Sequence, residues 1–140
     1  MKLCGIELKG NDAVLVVLEV SDEGPKHIDF PTRKIALGDS DNAADVICFQ
    51  KEIAAFFVSN NISKAVIKKR AKKGKFAGGP DTFKMEALIQ VIPDLEVELV
   101  TPQALAAMEK KQDIIYPNSL KKYQEVAYLV GVWVTKYSKY

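Results

Sequence analysis

Residues 2–20 read KLCGIELKGNDAVLVVLEV, and this stretch decides the fold. From Lys2 to Lys9 the side chains alternate, with Cys4, Ile6 and Leu8 on one face and Leu3, Gly5 and Glu7 on the other, the period of a strand. Asn11-Asp12, just after Gly10, makes a turn. Ala13 to Val20 then runs almost unbroken through apolar, largely β-branched residues, the pattern of a strand covered on both faces. The stretch therefore predicts an antiparallel hairpin with its first strand in the interior of a sheet.

Working outward, Ser21 to Pro25 reads as a turn, and a third strand is expected within Ile28–Leu37, interrupted by Pro31 as an edge strand allows. Gly38 to Asn42 offers N-caps for a helix over Ala44–Ser59, which Asn60-Asn61 stops. Ala65-Val66-Ile67 is a short buried strand. After a basic, glycine-rich segment, Pro80 opens a helix whose Met85, Leu88, Ile89 and Ile92 share a face before Pro93. Glu96–Val100 is another strand, and Thr101-Pro102 caps a short helix through Met108. The last helix is expected over Leu120–Tyr137, with Tyr123, Ala127, Val130, Val134 and Tyr137 at its period. Three antiparallel strands followed by alternating helices and strands predict an α/β fold, a mixed sheet flanked by helices, with residues 1–140 as one domain.

The bulk composition narrows the chemistry. A chain of 140 residues that is 48% hydrophobic closes one core, and a formal charge of +2 is too mild to argue for a nucleic acid or a membrane. Cys4 and Cys48 belong to no ligand cluster and are expected as two buried thiols. With His27 the single histidine, zinc sites and histidine-based hydrolysis are disfavoured, leaving an all-carboxylate magnesium (Mg2+) site as the metal chemistry the inventory permits. Lys2 is followed by a short apolar stretch that meets Glu7 at once, and Val126–Val134 is about half the ~18 residues a membrane span requires. A soluble, cytoplasmic protein is the expectation.

The phrases Cys4-Gly5-Ile6-Glu7-Leu8-Lys9-Gly10, Lys73-Gly74-Lys75-Phe76-Ala77-Gly78-Gly79, Phe83-Lys84-Met85-Glu86-Ala87 and Tyr123-Gln124-Glu125 resemble an uncharacterised bacterial family, domain of unknown function 3010, over essentially the whole chain. At fold level the element order and the Gly5-Ile6-Glu7 phrase resemble the RuvC-like branch of ribonuclease H-like proteins. That resemblance implies two magnesium ions ~3.5–4 Å apart between converging carboxylates, acting on a phosphodiester. It would make Glu7 a metal ligand and catalytic residue, with a second acid at the end of the strand Ala65–Ile67 and a third, Glu125, on the last helix. At the second position stands Lys68-Lys69-Arg70, and a Lys69 ammonium there would neutralise Glu7 and argue for binding without hydrolysis. Glu7 in a salt bridge to a loop lysine, and Glu125 in a solvated pair with Lys121 or Lys122, are the competing structural readings.

Lys64, Lys68, Lys69, Arg70, Lys72, Lys73 and Lys75 crowd one segment that contains no acid. Gly78 and Gly79 beside a helix start permit close backbone approach, and Phe76 offers a stacking face. The leading expectation is a ribonuclease H-like domain that binds nucleic acid or another polyanion through Lys69, Arg70, Lys72, Lys73, Lys75, Phe76, Gly78 and Gly79, set against a solvated loop. One rival is a RuvC-like magnesium-dependent nuclease using Glu7 and Glu125. The other is an interaction domain or homodimer using Tyr128, Trp133, Tyr137 and Tyr140.

Overall fold

The computed structural model describes residues 1–75 and 77–138. The hairpin forms as its alternation requires. Strands β1 (Lys2–Lys9) and β2 (Asp12–Ser21) pair antiparallel from Lys2↔Glu19 to Lys9↔Asp12 across Gly10-Asn11, with Gly10 at φ 62°, a conformation glycine adopts without steric cost. The third strand comes in two pieces on the outer edge of β2, β3 (Gly24–Ile28) and β4 (Lys34–Ala36). Its first piece thus begins inside the segment expected to be turn, because an edge strand tolerates Pro25, which has no amide to donate. Pro31 falls in the break, which the Arg33 Nε–Asp29 Oδ1 ion pair spans at 3.0 Å.

Helix α1 (Ala43–Ser59) is capped by Asn42, whose side chain accepts from the Asp45 amide at 3.1 Å, and is closed by Asn60, whose Nδ2 donates to the Phe56 carbonyl at 2.8 Å. Strand β5 (Ile62–Lys68), longer at both ends than expected, returns parallel to β1. Helix α2 (Pro80–Gln90), strand β6 (Glu96–Val100), helix α3 (Pro102–Lys111) and helix α4 (Glu125–Tyr137) complete the order. The sheet runs β3-β2-β1-β5-β6, with β4 also on β2, so β1 lies in its interior as predicted.

Two apolar layers cover the sheet. Cys4, Ile6, Leu8, Ala65 and Ile67 pack beneath α1 and α2, whereas Leu3, Val14, Val16, Leu18 and Val66 pack beneath α3 and α4. Each buried aliphatic or aromatic side chain contributes about 1.5–3 kcal/mol relative to exposure. At the far edge, Lys64 is buried with Nζ 3.0 Å from Glu98 and 3.5 Å from Glu96, tying β5 to β6. Lys64 therefore leaves the basic cluster to which its sequence position assigned it.

Three other expectations are corrected. The last helix starts at Glu125 rather than Leu120, because a 3-10 turn over Lys122–Gln124 interrupts the period; Tyr123 and Tyr137 are 43% and 47% exposed, while Ala127, Val130 and Val134 are buried. Cys4 is buried but Cys48 is exposed, since α1 carries apolar residues on its outer face as well as its inner one. Tyr128, expected as an interaction residue in one rival reading, is buried and packs edge-on to Tyr116 at 5.7 Å; Trp133 is half-buried, Tyr137 stands exposed, and Tyr140 lies outside the described residues. Among the described residues, no helix is long and apolar enough to cross a membrane.

A Cβ added to Gly5 would overlap the Ala127 carbonyl oxygen and stand 2.9 Å from the Gly131 nitrogen, both of them backbone atoms of α4. Gly5→Ala should therefore cost about 3 kcal/mol or more, the upper end of overpacking, read as a lower urea midpoint; an unchanged midpoint would refute this seat of α4. Burial also pushes the Cys4 thiol up to about 12. Because the thiolate is the reacting species, thiol titration of the folded protein at mildly alkaline pH should find Cys48 alone reactive, with Cys4 following only on unfolding.

Candidate nucleic-acid interface

Strand β5 delivers the chain to the carboxyl edge of the sheet at Lys68, and the Lys69 amide still donates to the Val100 carbonyl at 2.8 Å, extending the pairing with β6 by one residue. Beyond it the chain folds back on itself. Ala71 and Ala77 form an isolated parallel bridge, the Gly78 amide donates to the Ala71 carbonyl at 2.9 Å, and Gly74 turns the loop at φ 99°. The lysines are thus displayed on a closed loop, which reduces the conformational freedom the backbone would lose on meeting a ligand.

The glycines divide by role. A Cβ on Gly78 would lie 2.7 Å from Arg70 Cβ and 2.7 Å from Thr82 Oγ1, so packing against the loop's own stem demands glycine there. Gly79 is the N-cap of α2 and has open space where a Cβ would stand. Phe76, the expected stacking residue, lies outside the described residues.

Between this loop and the start of α3 is a cleft of about 580 Å³, lined by Lys68, Lys69, Arg70, Lys73 and Lys75 with Gln103 opposite, and no acid in its wall. Lys72 lines an adjoining recess with Thr101. The cleft sits at the carboxyl ends of the parallel strands β5 and β6, where open α/β sheets place their ligands. On the α2 side, Glu86 has its carboxyl raised by burial, an effect opposed by the nearby charges of Lys69 and Lys72, and its Oε2 is buried without a hydrogen-bond partner.

Glu7 is half-buried on β1 and shares the α4-facing side of the sheet with Leu3 and Gly5. Its neighbour follows from the register. Ile6 pairs with Ile67 under α1 and α2, so one residue further Glu7 and Lys68 continue their strands on the other face. By this parity the cation on Glu7's face is Lys68; Lys69, expected there, is one residue further on and near enough to Glu86 to oppose the raising of its carboxyl.

At the start of α4 the residue turned toward the sheet is Gln124, which sequence reasoning passed over. It is buried, its Nε2 donates to the Leu15 carbonyl at 3.0 Å, and its Oε1 accepts from the Lys121 amide at 3.0 Å. Only half of a capping box is present in the sequence, Gln124 at the third position without a Ser or Thr at position 121. Glu125 is half-exposed, near enough to Tyr116 to join burial and Glu109 in raising that phenol. Glu7 and Glu125 thus sit on different elements with Gln124 in the sheet-facing place, and among the described residues no three His, Cys, Asp or Glu side chains group so as to hold a metal ion.

The family model described as "Protein of unknown function (DUF3010)" matches residues 1–134. Among solved structures, the chain is similar to Thermus thermophilus RuvC, with a TM-score of 0.64 at 13% identity, covering 100% of this chain and 84% of that one. T. thermophilus RuvC in complex with a Holliday junction substrate gives a TM-score of 0.60 at 13% identity, over 96% and 92%. The fowlpox virus Holliday junction resolvase gives 0.57 at 12% identity, over 97% and 99%. At such identities the likeness shows the ribonuclease H-like fold. No curated protein matches the chain significantly.

The residues present do not fit the magnesium pair that this fold implies. On Glu7's face of the sheet the next strand ends in Lys68 rather than an acid, and the Gln124 amide is neutral with both ends engaged. Glu7→Gln should fold normally, since the amide preserves volume, and magnesium should leave the melting temperature of both proteins unchanged. A wild-type melting temperature that rises with magnesium, and does not in Glu7→Gln, would establish a carboxylate metal site.

Proposed function

The chain belongs to the DUF3010 family of proteins of unknown function, and on its ribonuclease H-like fold we propose that it binds nucleic acid through the cleft beside residues 68–75, without cleaving it. The observation that carries this reading is the acid-free wall of Lys68, Lys69, Arg70, Lys73 and Lys75 at the carboxyl edge of the sheet. The whole chain has a net charge of only +2, so this concentration of cations is local. A cleft of one sign between low-dielectric walls focuses the field on an approaching polyanion. Binding then gains from release of the counterions condensed on the phosphates.

T. thermophilus RuvC, of the same fold and solved with a Holliday junction substrate, supports taking nucleic acid as the polyanion. A second reading, a magnesium-dependent nuclease, draws on the placement of Glu7 in the interior strand. Lys68, where the fold's second acid would stand, and Gln124 at the start of α4 favour retention of the ligand over its hydrolysis.

Neutralising about three phosphates of a duplex should give a slope near −2.7 in log affinity against log salt, at ~0.9 per contact. Replacing Lys72, Lys73 and Lys75 by Gln should flatten that slope and leave stability within about 0.5 kcal/mol, as for other exposed changes. Fluorescence anisotropy with labelled oligonucleotides across a salt series measures both. Equal slopes in the two proteins, or no binding by either at low salt, would overturn the reading.

A further inference from the structure

The register places a second group of cations on the same side of the sheet as Glu7 and Lys68. Lys34 of β4 pairs with Val14 of β2, and Val14 pairs with Glu7 of β1, so these three form one transverse row on the face covered by α4, and Lys68, one residue past the last β1–β5 pair Ile6↔Ile67, continues it by strand parity. The neighbouring pair Ala13↔Ile35 is buried under the opposite layer, which fixes this orientation. Lys34 Nζ lies over the ring of Tyr123 at 4.8 Å from its centroid, on the turn that leads into α4, and Tyr123 is 43% exposed. Lys121 and Lys122 stand exposed on the same turn.

The pairing β4-β2-β1-β5 puts three strand spacings between Lys34 and Lys68, about 14 Å at ~4.8 Å each. A stacked strand rises about 3.4 Å per nucleotide, so some four nucleotides cover that distance. We propose that Tyr123 and Lys34 form a second subsite at which a single-stranded nucleic acid, held at the basic cleft, continues across the sheet edge and stacks a base on the Tyr123 ring. This rests on the nucleic-acid reading of the cleft and names the form of its ligand.

The chemistry favours a single strand over a duplex. An exposed aromatic ring flanked by lysines takes any base by its flat face, provided the base is not already stacked in a helix. Lys34 lies over one side of the ring and sets a positive charge beside the proposed stacking place. Glu7, two strand spacings from Lys34 and one from Lys68, repels phosphate, so the backbone crosses nearer the lysines of the turn and the cleft than the strand β1 itself.

The test is anisotropy with a labelled single-stranded oligothymidylate of about twelve nucleotides and a duplex of the same length, using wild type, Tyr123→Leu, Tyr123→Phe and Lys34→Gln. Tyr123→Leu should weaken single-strand binding by about tenfold, within the range for losing one base–aromatic stack, and leave duplex binding unchanged. Tyr123→Phe, which keeps the ring, should bind as wild type. Lys34→Gln, an exposed substitution that keeps the fold, should reduce the single-strand salt slope by about 0.7. Undiminished single-strand binding by Tyr123→Leu and an unaltered slope in Lys34→Gln, with binding still weakened by the Lys72, Lys73 and Lys75 replacement, would refute the second subsite and leave the cleft reading intact. No binding by wild type would overturn both.

Discussion

The close approach of α4 to β1 at Gly5 is the constraint on which the carboxyl edge of the sheet depends. Only a residue without a Cβ lets the Ala127 carbonyl and the Gly131 amide settle against the strand. Gly131 repeats the device from the helix side, where a Cβ would stand 2.8 Å from Leu18 Cδ1. With both surfaces reduced to backbone, the helix lies deep on the face. That position presents Gln124 to the Leu15 carbonyl, and thereby holds the turn that carries Tyr123. A contact inside the apolar layer thus sets the geometry of polar residues at the rim.

The rim is organised by strand parity. Successive residues leaving β5 are cations, but Lys68 falls on Glu7's face of the sheet, whereas Lys69 comes near Glu86. Of the two carboxylates, Glu86 has the charges of Lys69 and Lys72 near it. Lys68 and Lys69 also line the cleft with Arg70, Lys73 and Lys75, a wall that holds no acid, so the field of these cations extends into solvent. At the opposite end of β5 the logic reverses, with Lys64 buried between Glu96 and Glu98, where its ammonium joins strands instead of facing a ligand.

Much of this fold was legible because its strongest signals are local. The β1–β2 alternation, the Thr101-Pro102 cap and the strand Glu96–Val100 each depend on neighbours in sequence, and each forms where its residues indicate. The edge strand forms within the expected range at Lys34–Ala36, but its earlier piece was not legible because Gly24–Ile28 carries a proline and two polar side chains, and its pairing with β2 comes from tertiary contact that no propensity encodes. The site was less legible than the fold. The basic segment was plain, but whether Lys68 or Lys69 stands beside Glu7 depends on a register with β1 that only the assembled sheet defines. Gln124 was overlooked because a neutral amide draws no attention beside Glu125, although its two hydrogen bonds place it at the heart of the turn.

The order of the sheet has a consequence for the chain during its synthesis. β1 finds its first partner in the hairpin at once, but its other neighbour, β5, begins only at Ile62. Some 50 residues must follow Lys9 before that edge is closed, about 3–10 s at ribosomal rates of roughly 5–20 residues per second. Through that interval the hairpin holds a strand apolar on both faces with one row of amides and carbonyls unpaired, a template that β5 of another nascent copy matches as well as its own. Exchange of that strand between copies is the characteristic misassembly to which this topology is exposed, and the polyribosome, where copies emerge side by side, is where the hazard concentrates.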